Sequence, residues 1–229
     1  MISMVVFDMA GTTVNEDNVV YKTLQKSINK KGFDLTLDQV LAEGAGKEKL
    51  QAIKSILKVY ESNTDDDLAD EIYADFIILL SKAYDDIDVL PQPNAEELFQ
   101  ILKLRKIRVI LNTGYNSDIA ESLVEKLGWK KGIEFDSLIT SSDVEHNRPD
   151  PEMIDLAMDI YGLLNPKTVI KVGDSIIDIE EGQNAGCGLN IGITTGAHTF
   201  QQLQSANPDY IIDDLLELIP IIDKMNLNG

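Results

Sequence analysis

The sequence predicts an α/β protein, a three-layer α/β/α core built on a parallel sheet and interrupted by an all-helical insert. Three observations carry this. From residue 107 onward, short apolar runs alternate with stretches of helical period, the rhythm of βαβ units. The first run, Met4-Val5-Val6-Phe7, is β-branched and aromatic and reads as a strand buried on both faces. Between Asn15 and about Asp88 the pattern is helical and holds no convincing strand.

Taken in order, the first strand stops at Asp8, and Gly11, Thr12 and Thr13 follow. In the insert, Leu24 and Ile28 recur at helical spacing. A second helical stretch starts near Lys47, with Leu50, Ile53, Ile56 and Leu57 on one face. Thr64-Asp65-Asp66-Asp67 reads as a cap with acids in the first turn, ahead of Leu68, Ile72, Phe76 and Leu79. Pro91-Gln92-Pro93 marks the return linker. Helices are then expected at 95–104, 118–127, 151–160, 176–185, 199–205 and 215–222, and strands at 107–111, 135–140, 169–172, 189–193 and 210–212. The division expected is a core of residues 1–14 and 90–229 around a helical unit of residues 15–89, large enough to be a small domain.

Composition narrows the partners. The 229 residues are 44% apolar, enough for a proper core. Lys and Arg number 20 against 39 Asp and Glu, a net charge of −19. Such a field repels nucleic acid and anionic membranes, so neither is an expected partner, and any anion site must carry local positive charge. A single cysteine, Cys187, permits no internal disulfide and fits a reducing compartment. The first residues lack the basic region of a signal peptide, and no apolar run approaches a membrane span, so the expected location is cytoplasmic.

Four strand-end stretches carry candidate chemistry. Asp8 ends the first strand next to a glycine turn, where open α/β sheets place their ligands; taken alone it also reads as a helix cap. Small residues there let backbone N–H groups approach an anion, and Thr12 and Thr13 add hydroxyl donors. Asn112-Thr113-Gly114-Tyr115 ends a second strand ahead of a helix, so Thr113 can donate to an anion beside helix N–H groups, or simply cap. Arg148 sits in the rigid stretch Asn147-Arg148-Pro149-Asp150-Pro151 and suits either a phosphoryl clamp or an ion pair with nearby acids. Asp174 and Asp178 close Gly173-Asp174-Ser175-Ile176-Ile177-Asp178, four residues apart on one face, and repel each other unless a cation or donor lies between them. Asp8 and Asp174 at adjacent strand ends would hold a hard cation, best matched by Mg²⁺.

Together, in this order, the four stretches resemble the haloacid dehalogenase superfamily. The resemblance covers residues 1–14 and about 91–218, and the insert is similar to that superfamily's helical cap domain. It implies a Rossmann-like core in which Asp8 attacks phosphorus and forms an aspartyl-phosphate that water hydrolyses. Mg²⁺ would be held by Asp8, Asp174 and the backbone carbonyl of Ala10, with Asp178 supporting the metal site. Thr113 and Arg148 would hold the phosphoryl group.

One departure directs the expectation further. Most phosphatases of the superfamily carry a second Asp two residues after the nucleophile, where it protonates the leaving alkoxide; here that position is Ala10. The phosphonatase branch shows the same pattern, and Asp8-Met9-Ala10-Gly11-Thr12, Thr113-Gly114-Tyr115 and Arg148-Pro149 are similar to it. There a cap lysine forms a Schiff base with phosphonoacetaldehyde, so carbon leaves without an acid. The resemblance puts Lys49 in that role, in Gly46-Lys47-Glu48-Lys49; without Ala10 it reads as one more exposed helical lysine near Lys47 and Lys54. The branch's Met and His flanking the lysine are Ala45 and Ala52 here. Tyr115 and Gly114 lie where they can touch substrate. The expected protein is a Mg²⁺-dependent hydrolase of a small phosphonate or phosphorylated metabolite, monomeric or a cap-mediated homodimer. One alternative is a phosphatase of small esters with good leaving groups, with Glu16 or a cap residue as the acid. The other is a non-catalytic phosphate-binding or regulatory protein, against which the intact set Asp8, Thr113, Arg148 and Asp174 speaks.

Overall fold

A computed structural model of the chain describes residues 1–85 and 88–227; residues 86 and 87, where the helical stretch was expected to end, and 228 and 229 lie outside it. The first strand, β1 (Met4–Asp8), is buried at every position and sits at the middle of the sheet. Its side chains alternate between the two faces. Val5 and Phe7 join one apolar cluster with Phe99, Trp129, Leu218 and Ile222. Met4 and Val6 join another with Met153, Ile154 and Ala157. Two apolar faces need two covers, and that is why the core has three layers.

After β1 comes a two-residue strand β2 (Val14–Asn15), then α1 (Val19–Asn29), α2 (Leu37–Gly44), α3 (Lys49–Glu61) and α4 (Asp66–Asp85). The chain returns through β3 (Leu90–Pro91). It then alternates: α5 (Ala95–Leu104), β4 (Arg108–Thr113), α6 (Ser117–Leu127), β5 (Ser137–Thr140), α7 (Glu152–Ile160), β6 (Val169–Gly173), α8 (Ile176–Asn184), β7 (Leu189–Ile193), α9 (Phe200–Ser205), β8 (Tyr210–Ile212) and α10 (Leu218–Leu227). The six long-range strands pair in parallel in the order β5-β4-β1-β6-β7-β8. The order reverses direction beside β1, so the carboxyl ends of β1, β4 and β6 open onto one crevice.

Three local features depart from the sequence expectation. β2 and β3 form an antiparallel ribbon, Val14 opposite Pro91 and Asn15 opposite Leu90, where a strand-free linker was expected. Two-residue strands are too short to show a period, and Pro91 stands at an edge where its missing N–H costs nothing. α2 was not expected; Thr36 and Gln39 form its capping box. α3 begins at Lys49 rather than near Lys47, because the Glu48 carboxylate accepts from the N–H groups of Leu50 and Gln51 and fixes the start. In α4 the cap is Asp65, whose side chain accepts from Asp67 and Leu68. α1 to α4 pack on one another and bury Leu24, Ile28, Ile53, Ile56, Ile72 and Phe76, in an apolar cluster continuous with the one under Val5 and Phe7. Among the described residues no helix is long and apolar enough to cross a membrane.

Candidate active site

The three strand ends deliver three of the candidate residues side by side. Asp8 closes β1, Thr113 closes β4, and Asp174 follows β6; β1 lies between the other two strands. Each side chain is buried, Asp8 to 5% exposure and Asp174 to 4%. The turn after β1 needs Gly11: its φ of 89° is left-handed, and a Cβ there would run into the Asp174 carboxylate. Thr13 donates its hydroxyl to the Asp8 carbonyl at 2.9 Å and locks the turn. Thr12, expected to meet the anion, donates instead to Asp174 Oδ1 at 3.2 Å. The other Asp174 oxygen accepts from the Ala197 N–H at 2.6 Å.

Arg148 is fully buried beneath these ends. It donates to Asp8 Oδ1 at 2.7 Å and to the Asn112 carbonyl at 2.7 Å, and lies 3.0 Å from Asp178 and 3.1 Å from Glu181. Arg148 is thus paired with acids, and one of those acids is Asp8. Lys171 adds a second buried cation, 3.1 Å from Asp178 and 2.8 Å from Glu181, and donates to Asn112 Oδ1 at 2.9 Å. Asp178 therefore faces Arg148 and Lys171, and its second oxygen accepts from the Ser175 hydroxyl.

The electrostatics follow from burial and neighbours. Burial, helped by the Asp178 charge and opposed by Arg148, pushes the Asp8 carboxyl up to about 6. Burial and the Asp8 charge hold Asp174 well above the ordinary carboxylate range. Burial alone would raise Asp178 as well, but Arg148 and Lys171 overcome it and keep that group below its usual value. Burial works against the Arg148 cation, yet the surrounding carboxylates leave it more firmly protonated than usual.

Lys49 enters the same crevice from the insert. A small cavity is lined by Asp8, Ala10, Tyr21, Gly46, Lys49, Thr113, Gly114, Tyr115 and Asp174. The lysine is 3% exposed, with its ammonium 5.1 Å from the centre of the Tyr21 ring and 4.9 Å from that of Tyr115. It donates to the Lys47 carbonyl. Burial pulls its pKa down to about 8, against the raising effect of Glu48 and Asp8. The loop ahead of α3 reaches this depth because two positions lack a side chain. Gly46 has a φ of 75°, and a Cβ on it would meet Ser175. A Cβ on Gly114 would come within 2.8 Å of the Gly46 carbonyl and 3.0 Å of the Lys47 carbonyl.

The residues present fit a hard divalent cation. Asp8 and Asp174 are buried, adjacent and mutually repulsive, and a cation between them would remove the repulsion; the Ala10 residue lines the same cavity. Among the described residues no cluster of three His, Cys, Asp or Glu side chains forms a metal cage. Mg²⁺ needs none, since it keeps several waters and takes one or two carboxylates.

The family model of haloacid dehalogenase-like hydrolases matches residues 2–186. The chain belongs to that family. As a haloacid dehalogenase-like hydrolase it is 31% identical over 97% of its length to the bifunctional phosphonoacetaldehyde hydrolase/aminoethylphosphonate transaminase of Clostridioides difficile, of which it spans 36%. It is 28% identical to the phosphonoacetaldehyde hydrolase of Parabacteroides distasonis, over 98% of this chain and 97% of that protein. Its fold matches a phosphonoacetaldehyde hydrolase-like protein from Oleispira antarctica with a TM-score of 0.84 at 20% identity, covering 98% of this chain and 92% of the other.

In this hydrolase the structure also brings in groups to which sequence reasoning gave no role: Asn112, Lys171, Glu181, Tyr21 and His198. Their signals were present. Asn112 and Lys171 are polar residues inside apolar strands, and Glu181 stands three residues after Asp178 on the same helix face. His198 is buried, accepts from the Ile176 N–H through Nδ1 and approaches the Leu41 carbonyl of α2 through Nε2. His146 is exposed beside Glu152, and Cys187 is packed, its thiol pushed up to about 12 by burial.

Proposed function

We propose that this chain is a Mg²⁺-dependent, phosphonatase-like hydrolase that cleaves the P–C bond of a small aldehyde phosphonate. One observation carries the reading: Lys49, with its amine brought to about 8, lines the same cavity as Asp8, Thr113 and Asp174. The Lys49 amine condenses with the substrate carbonyl, which makes the adjoining carbon a competent leaving group. Asp8 attacks phosphorus and carries the phosphoryl group as an aspartyl-phosphate until water hydrolyses it. Asp8, Asp174 and the Ala10 carbonyl would hold Mg²⁺, which when bound neutralises phosphoryl charge. Arg148 fixes the attacking carboxylate, while Thr113 and the Gly114 N–H face the phosphoryl group. Residues 15–89 act as the cap, closing Lys49 onto residues 1–14 and 90–229 and excluding water. The imine also accounts for Ala10, since no alkoxide leaves and no acid is required there.

A second reading is a phosphatase, which must tolerate Ala10 by taking substrates with good leaving groups. One assay separates them: Mg²⁺-dependent phosphate release from phosphonoacetaldehyde beside a panel of phosphate esters, for the wild type and Lys49→Ala. Release from the phosphonate that vanishes in Lys49→Ala supports the imine route. Ester turnover that ignores the substitution, with no release from the phosphonate, sinks it.

A further inference from the structure

Forming an imine from a lysine requires a proton to leave the ammonium and a proton to reach the departing hydroxyl. The proposed function names no group for either. The side chain one turn beyond Lys49, Ala52, is apolar and fully buried. Asp8 is bound by Arg148 and reserved for phosphorus. Glu48 spends its carboxylate on the N-terminus of α3 and faces an outer surface pocket with Gln51, Lys54 and Lys58.

Glu16 remains. It lies just after β2, 3% exposed in a strongly acidic chain whose carboxylates are mostly on the surface. Tyr115 donates its hydroxyl to Glu16 Oε1 at 3.3 Å, and the ring of that tyrosine is the one beside Lys49. The Glu16 charge also reaches the Lys49 amine and the Tyr21 phenol. Lys49 and Tyr115 therefore line the cavity side by side, and the Glu16 carboxylate stands behind the Tyr115 hydroxyl, separate from the Arg148 cluster.

We propose that the Tyr115 hydroxyl carries protons to and from the carbon–nitrogen bond being made at Lys49, with Glu16 as the base behind it. This rests on the Lys49 imine of the proposed function. The ammonium proton passes through the Tyr115 hydroxyl to the Glu16 carboxylate. The freed nitrogen pair forms the N–C bond, and the carbonyl π pair moves onto oxygen. That oxygen takes the second nitrogen proton and becomes the carbinolamine hydroxyl. Glu16, now a carboxylic acid, returns its proton through Tyr115 to this hydroxyl. The C–O bond breaks, water leaves with the bonding pair, and the nitrogen pair closes C=N. Glu16 ends as a carboxylate, one water is released, and nitrogen carries the charge it began with. The same path in reverse hydrolyses the product imine.

Glu16 also accepts from the Val20 N–H at 3.4 Å, so the test must separate proton transfer from a structural role. Acetaldehyde carries no phosphoryl group, so borohydride trapping of its imine without Mg²⁺ reads the condensation alone. The initial rate of ethylation at Lys49 is followed by peptide mass spectrometry across pH for the wild type, Glu16→Gln, Glu16→Asp and Tyr115→Phe. Glu16→Gln and Tyr115→Phe are each expected to slow trapping by about 10²–10⁴-fold. The double variant should be no slower than the worse single one, and Glu16→Asp should recover part of the rate. Glu16→Gln should also lose one limb of the rate–pH profile, whereas a structural lesion lowers the rate evenly. Trapping at the wild-type rate in either single variant overturns the relay while leaving the imine intact. No trapping in the wild type overturns the imine, and the relay with it. Should Glu16→Gln fail to fold, Tyr115→Phe decides, because it leaves Glu16 and its bond to Val20 in place.

Discussion

Arg148 is surrounded by more negative charge than it can neutralise alone. Asp8, Asp178 and Glu181 all lie against it, and Lys171 supplies the second cation. Removing one partner of such a buried group strands the rest. Lys171→Met is expected to cost about 3–5 kcal/mol and to lower the midpoint of thermal unfolding by roughly 10 °C or more; an unchanged midpoint would mean that Arg148 suffices. The raised Asp8 carboxyl, at about 6, predicts how metal affinity depends on pH. Below that value Asp8 holds a proton that Mg²⁺ must displace, and the raised Asp174 carboxyl adds a second, so titration calorimetry should show affinity falling by at least about tenfold per pH unit on the acid side of 6. Lys49 has the opposite requirement. The proton relay starts from its ammonium, whose proton is needed to expel water, and burial has set the pKa near 8, so kcat/KM for phosphonoacetaldehyde should hold up to about 8 and fall above it. A flat profile would show that this amine does no chemistry.

At the scale of the element, the loop between α2 and α3 meets the loop after β4 backbone to backbone. The contact is possible only because Gly114 has no side chain where the Gly46 and Lys47 carbonyls pass. Backbone cannot step aside as a flexible side chain can. Gly114→Ala should therefore keep the circular dichroism of the wild type while raising KM severalfold, because Lys49 no longer reaches full depth. Wild-type kinetics in this variant would mean that the two loops need not touch. Elements of this kind also show what sequence can and cannot disclose. Asp8, Thr113 and Asp174 were legible because each stands at the end of an apolar run, and strand ends are local features. The parallel sheet was legible from the alternation after Ile107. α2 escaped because eight residues give little period, and the β2–β3 ribbon escaped because two residues give none. Lys171 and Glu181 were visible as letters but not as partners of Arg148. Their pairing depends on β6 lying beside β1, and that is a tertiary fact.

Across the whole molecule, a net charge of −19 surrounds the cavity lined by Asp8 and Lys49. The local cations Arg148, Lys171 and Lys49 are buried and weakly screened, while the surface acids are exposed and strongly screened. Raising ionic strength from about 0.02 M to about 0.3 M shortens the screening length and weakens the outer repulsion more than the inner attraction. For a dianionic substrate kcat/KM should rise severalfold over that range. A fall would show that the inner cations already govern approach.

The ribbon of β2 and β3 has a meaning beyond stability. Val14–Asn15 and Leu90–Pro91 run side by side, and the Gln92 N–H donates to the Thr13 carbonyl at 2.9 Å, so the polypeptide leaves the sheet half and re-enters it at the same spot. Paired strands stand about 5 Å apart, a gap that a tight turn can close. The helical segment is thus attached like an interchangeable tool at one socket. Lineages sharing this sheet could exchange the helices between Asn15 and Leu90, and Lys49 with them, without disturbing the strand that bears Asp8.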